Sequence, residues 1–150
     1  MSSADTLLPE LETPALLVDL DALEANLAEM AAVAGLAGVR LRPHTKTHKC
    51  PEIAHLQVKA GATGITCAKL GEAEVMADAG LDDLLIAYPL VGEQKLRRLG
   101  ALAKRARVRV SLDSVEVAEG LGRVGRQLGR DLEVMVEVDT GLHRLGRPPG

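Results

Sequence analysis

The octapeptide Arg42-Pro43-His44-Thr45-Lys46-Thr47-His48-Lys49 places an arginine, two lysines and two histidines within eight positions. It follows the β-rich run Gly38-Val39-Arg40-Leu41 and stops where a helix is expected to begin. An amine at a strand end, crowded by other cations, suits the capture of a carbonyl. Neighbouring positive charge disfavours the ammonium form and leaves more of the free nucleophile. Lys46 lies nearest the strand end and is the first candidate, with Lys49, at the helix start, and Lys69 as rivals. A solvated basic loop is the alternative reading of the same residues. His44, His48 and Cys50 invite a metal hypothesis, but a four-residue spacing brings two imidazoles together only on a helix. Here that spacing bridges strand and loop behind Pro43, so no metal ligands are assigned.

Elements that must position this turn follow from hydrophobic patterning. Short apolar runs read as strands at Leu16–Asp19, Val39–Arg42, Gly64–Cys67, Leu84–Ala87, Val108–Leu112 and Leu132–Val138. Between them, helical periodicity spans Asp21–Ala34 (Leu23, Leu27, Met30 and Val33 on one face), a segment opening on Pro51, Gly71–Ala79 closed by Gly80, Gly92–Ala106 and Val115–Leu128. Strands separated by single helices imply crossovers and a parallel sheet, and strand ends recur about every 20–26 residues, near the size of one strand-plus-crossover unit. A doubly wound sheet would show a glycine-rich turn after an early strand, but Asp19-Leu20-Asp21 has none. Gly120-Leu121-Gly122-Arg123-Val124-Gly125 spells the dinucleotide fingerprint, yet it lies inside a helical pattern rather than opening one. In a (β/α)8 barrel, polar residues past strand ends share one mouth; Lys46, Cys67–Lys69, Tyr88-Pro89, Asp113 and Asp139 all fall there. The barrel is the expected fold. A complete one takes about 250 residues, so the chain reads as only about its first half.

Composition narrows the function classes. The 150 residues, 47% hydrophobic, suffice for one globular domain with a real core. Net charge is −3, and one tyrosine without Phe or Trp leaves no aromatic platform for bases, so nucleic-acid binding is not expected. There is no apolar run of membrane-spanning length, and Met1–Thr6 resembles no signal peptide. A cytoplasmic protein without a membrane partner is expected. Cys50 and Cys67, lacking a C-x-x-C spacing, read as two buried reduced thiols. The cationic residues Arg97, Arg98, Lys104, Arg105 and Arg107 read as a solvated outer helix face.

Three segments in order, TPALLVDLDALEANL, RPHTKTHK and EVDTGLHRLG, resemble the N-terminal half of the fold-type III pyridoxal-phosphate enzymes, the alanine racemase N-terminal-like barrels. More narrowly, the chain is similar to D-threonine aldolases and D-serine dehydratases. The resemblance runs from about Thr13 to Gly146. RPHTKTHK is quite specific to that subgroup, and the D-T-G-x-x-R-x-G part is shared with alanine racemases. The resulting division is an N-terminal extension over residues 1–12 and a partial cofactor-binding barrel domain over 13–150.

The resemblance implies that Lys46 carries pyridoxal 5'-phosphate and that Arg144 contacts its phenolic oxygen. A guanidinium is suited to that contact because it stays charged and offers fixed donors. Asp139 either orients Arg144 or caps the turn. It further implies a divalent metal whose ligands lie beyond Gly150, together with much of the phosphate site. The implied activity is a lyase cleaving D-threonine-like D-β-hydroxy amino acids to glycine and an aldehyde. The alternatives are D-serine dehydration, amino-acid racemisation or a cofactor-binding fragment without activity. The expected partner is a small D-amino acid, with a homodimer of the full-length protein left open.

Overall fold

A computed structural model describes residues 11–149. Residues 1–10 of the expected N-terminal extension, and Gly150, lie outside the described residues. Four parallel strands form one sheet in sequential order: β1 (Ile65–Cys67), β2 (Asp83–Ile86), β3 (Arg107–Leu112) and β4 (Glu133–Val136). The helices are α1 (Leu20–Leu36), α2 (Pro51–Lys59), α3 (Leu70–Asp78), α4 (Glu93–Ala103) and α5 (Val115–Leu128).

Alternation along the strands gives the sheet two unlike faces. Ile65, Cys67, Leu84, Ile86, Val108 and Val110 are buried, and they join Leu70, Ala73 and Met76 of α3, Leu96, Leu99 and Leu102 of α4, and Val117, Leu121 and Val124 of α5 in one core. Each fully buried aliphatic side chain contributes about 1.5–3 kcal/mol of transfer free energy. With α3, α4 and α5 all on one face and the strand order never reversing, the winding is that of a barrel. A doubly wound sheet reverses its order and carries helices on both faces. The expected barrel architecture, with only its first part in this chain, therefore stands.

The opposite face is charged at the N-terminal ends of the strands. Asp83 Oδ1 accepts Arg42 Nη1 at 2.8 Å and Arg109 Nη1 at 2.5 Å, while Glu133 accepts Arg109 Nε at 2.7 Å and Arg107 Nε at 2.6 Å. Burial alone would raise the Asp83 carboxyl, but the hydrogen bonds and charges of Arg42 and Arg109 outweigh it and hold its pKa below the usual value. A depressed carboxylate contributes stability that is present above the unfolded value near ~3.9 and lost as pH falls through the folded one. Asp83→Asn should therefore cost about 2 kcal/mol at pH 7, a half-exposed version of a broken buried pair. The deficit should shrink toward pH 3. Urea unfolding of both chains at the two pH values checks this, and a deficit independent of pH would count against it.

Several expected elements are corrected. Leu16–Asp19 is not a strand: Leu16, Leu17 and Val18 are exposed, no strand pairs with them among the described residues, and Asp19 instead N-caps α1 by accepting the Ala22 N–H at 3.0 Å. An apolar run becomes a strand only where a ladder partner exists. Val39–Arg42 falls short for a different reason. It runs beside β1, where Leu41 O accepts the Thr63 N–H and Pro43 O accepts the Thr66 N–H, but Pro43 has no N–H to return, so only a bridge at His44 and Thr66 forms. In α1 the predicted apolar face is mostly uncovered, with Met30 and Val33 exposed and only Ala34 buried. The helix expected over Gly92–Ala106 is shorter, Glu93–Ala103 with Gly92 as its cap, and α3 ends one residue before the expected bound. The cationic helix face is not simply solvated: Arg98 and Arg105 pair with Glu74 and Asp78 of α3. The Gly120–Gly125 motif lies inside α5, as its periodicity indicated.

Candidate active site

Lys46 sits in the turn between the His44 bridge and α2, at the C-terminal end of the parallel sheet. Thr45, fully buried, anchors that turn. Its N–H donates to Thr66 O at 2.8 Å, and its hydroxyl lies 3.1 Å from the same oxygen and 3.7 Å from Cys67 Sγ. Four residues on, the Lys49 N–H closes the turn on Thr45 O at 2.7 Å. Lys49 adopts φ 51°, a left-handed conformation uncommon outside glycine, immediately before the Cys50 cap of α2.

The three lysines are thereby distinguished. Lys49 Nζ is ion-paired with Glu72, a carboxylate only 8% exposed, whose other oxygen accepts the Ala68 N–H at 2.8 Å. Burial alone would raise the Glu72 carboxyl, but the bonds from Lys49 and Ala68 and the charge of Lys69 prevail and hold its pKa below the ordinary value. Lys46 is exposed and, among the described residues, has no carboxylate partner. Its N–H donates to His44 Nδ1 at 3.2 Å, which leaves the other ring nitrogen to carry the proton of the neutral imidazole. Burial and then the Lys46 charge lower the His44 pKa, so that neutral form is favoured. Lys69 is exposed at the start of α3 and lines a cavity with Lys49 and Glu72.

Arg144 lies in the loop after β4. Val138 and Arg147 bridge the base of that loop, and Gly146 and Arg147 tie it to Asp113 past β3. Asp139 caps the turn: its carboxylate accepts the N–H groups of Gly141 at 2.9 Å and His143 at 3.0 Å and meets His143 Nδ1 at 2.8 Å. These bonds lower the Asp139 pKa, the His143 N–H first. Of the two readings of Asp139 the turn cap is the one observed, and it makes no hydrogen bond to Arg144. Arg144 itself is exposed at the rim of a cavity of about 270 Å³ with Asp139, Thr140 and Leu142. Lys46 and Arg144 share one end of the sheet but flank it on opposite sides, and no described contact joins them.

A cavity of about 530 Å³ lies elsewhere, against the outer side of β4 beside Leu121, Gly125, Leu132 and Val134. It is an uncovered apolar flank rather than a chemical site. Among the described residues no cluster of three or more His, Cys, Asp or Glu could hold a metal, and no helix is long and apolar enough to cross a membrane. Thr45, Thr66 and Glu72 were not foreseen. Glu72 has a sequence signal only as an acid three residues into a helix, the position of a capping-box partner.

The two cysteines differ, against the expectation that both are buried. Burial, with the Thr45 hydroxyl opposing and the Glu72 charge adding, pushes the Cys67 thiol up to about 11. Cys50 is half-buried, with Sγ 2.9 Å from Glu52 Oε2. A thiol-alkylating reagent at pH 7.5 should thus label Cys50 alone in the folded chain and both after denaturation. Mass spectrometry of the peptides decides it; native labelling of Cys67 would contradict the burial.

A one-faced, sequentially ordered parallel sheet with a basic turn at its C-terminal mouth is the winding of the first part of a (β/α)8 barrel. The chain belongs to the alanine racemase N-terminal domain family, which matches residues 18–150. It is 43% identical to the D-threonine aldolase of an Arthrobacter species over 93% of this chain and 37% of that protein. To the D-threo-3-hydroxyaspartate dehydratase of Delftia sp. strain HT23 it is 40% identical over 95% of this chain and 37% of that one. The crystal structure of D-threonine aldolase from Filomicrobium marinum superposes with a TM-score of 0.92 at 47% identity, covering 95% of this chain and 39% of that one. The chain thus spans little more than a third of the length of these relatives.

Proposed function

We propose that residues 13–150 are the first part of a pyridoxal-phosphate-dependent lyase that cleaves D-threonine-like D-β-hydroxy amino acids to glycine and an aldehyde. The observation that carries this reading is the pair of lysines in one anchored turn: Lys49 held by Glu72, and Lys46 exposed at the strand-end mouth with no carboxylate partner among the described residues. The identity to D-threonine aldolase supports the choice of reaction.

The donor types present suit the cofactor: an unpaired primary amine for its aldehyde and an always-charged guanidinium for its phenolic oxygen. Lys46 would hold the first and Arg144 the second. When bound, pyridoxal phosphate supplies a conjugated ring that accepts the electron pair released as a bond to Cα breaks. This chain's own contribution is placement. Thr45 and Thr66 fix the turn on the sheet, the Glu72–Lys49 pair holds its far end, and the loop tied to Asp113 presents Arg144. Lys46 Nζ, exposed at the mouth, would be placed to exchange protons with solvent or substrate.

Product analysis with D-threonine and pyridoxal phosphate tests the reaction. Glycine and acetaldehyde are expected; 2-oxobutanoate with ammonia would indicate the dehydratase alternative, favoured by the similarity to D-threo-3-hydroxyaspartate dehydratase. The Cα epimer would indicate a racemase. A cofactor-labelled chain yielding no product would indicate the binding fragment.

A further inference from the structure

We propose that Glu72 decides which amine of the turn captures the cofactor: it engages Lys49 and leaves Lys46 as the free nucleophile. The inference rests on the proposed function. Both lysines lie in one short turn, three residues apart, and differ in their partners rather than in exposure, for Lys49 has a side chain 60% exposed. Solvent access does not discriminate between them, and the ion pair does.

Two observations show how firmly Lys49 is held. Its backbone is pinned in the left-handed region by the bond to Thr45 O, and its amine meets a carboxylate that has little water of its own. For Lys49 to attack a carbonyl, that contact must break, leaving that Glu72 oxygen buried without its hydrogen bond, with the Ala68 N–H and the nearby Lys69 charge as the remaining support of the carboxylate. Stranding a buried charge is far more costly than losing a surface pair. Lys46 incurs no such loss. In the capture step the amine nitrogen forms a double bond to the carbonyl carbon, and its two hydrogens leave with the carbonyl oxygen as water. Added borohydride then delivers hydride to that carbon, a proton from solvent joins the nitrogen, and the attachment is fixed as a secondary amine. Glu72 is accordingly a positioning residue that acts through Lys49.

Glu72→Gln keeps the side-chain volume and an oxygen for the Ala68 N–H while removing the charge. The chain and this variant are mixed with pyridoxal phosphate, reduced, digested, and the label assigned among Lys46, Lys49 and Lys69 by mass spectrometry. The parent chain should be labelled on Lys46. In Glu72→Gln the Lys49-to-Lys46 ratio should rise about tenfold, the scale of one charge-assisted hydrogen bond. Adding Lys49→Arg to that variant should return the label to Lys46. If the parent is labelled on Lys46 and Glu72→Gln leaves the ratio unchanged, the inference falls while the proposed function stands. If the parent carries no label on Lys46, the proposed function falls instead. A second measurement is independent of folding in the variant: brief acetylation of the parent chain without cofactor should modify Lys46 several-fold faster than Lys49. Equal rates would overturn the role of Glu72.

Discussion

Replacing Lys46 by alanine is expected to abolish borohydride-fixed attachment of pyridoxal phosphate to the turn, whereas Lys49→Ala leaves Lys46 labelled. The loss should be at least about a hundredfold, because no other nucleophile can substitute for a missing amine at the same place. Lys49 is engaged by Glu72, and Lys69 stands on a different element, at the start of α3. The turn itself should survive the substitution. Lys46 contributes only its N–H to His44, and alanine retains that group, while Thr45 and its bonds to Thr66 and Cys67 are untouched. Unchanged far-ultraviolet circular dichroism with loss of label would therefore assign the effect to the amine. Undiminished labelling of Lys46→Ala would remove the mechanism.

The largest effect on stability is expected at Gly64. Its φ of 150° lies where side chains are rare, and a Cβ added there would run into the Asp83 carbonyl oxygen and the Arg42 guanidinium, with Asp83 Cβ at 2.9 Å. The guanidinium can swing aside, but the carbonyl belongs to β2 and cannot move without parting it from β1. Gly64→Ala should cost about 3–4 kcal/mol, at the upper end for overpacking. Gly61→Ala is the control: φ is 109°, yet nothing lies within 4 Å of the added carbon, so only the backbone cost of about 1–2 kcal/mol remains. Urea unfolding distinguishes them. Equal losses would show that φ, not the close approach of β2, restricts Gly64.

The contrast between these sites marks what the sequence makes legible. Leu84–Ala87 and Val108–Leu112 read as strands because one is a short apolar run and the other alternates apolar with polar residues, each bounded by turn residues. Pro51 marked the start of α2 because its missing N–H is harmless there. The run at Leu16–Val18 looks the same and lies exposed, since whether a neighbour pairs with it is not written locally. The same holds for the site. The basic turn that carries Lys46 was legible as a strand-end segment before a helix, and its anchor at Thr45 and Thr66 was not. Lys49 and Glu72 are 23 positions apart, Arg42 and Asp83 41; no local pattern connects residues at such separations. Asp139 illustrates a middle case, in which two roles fitted the sequence and the hydrogen bonds to Gly141 and His143 chose one.

The charged face formed by Arg42, Asp83, Arg107, Arg109 and Glu133 has a consequence for how the sheet assembles. Sliding a strand by two residues keeps its apolar side toward the helices, so hydrophobic burial barely senses the error. The charges do sense it. Moved by two, β4 would set Met135 opposite Arg109 where Glu133 now pairs, leaving Arg109 to Asp83 alone and Glu133 to Arg107 alone. The native alignment is thus the one in which Glu133 is shared by Arg107 and Arg109, a preference that an all-apolar lining would lack.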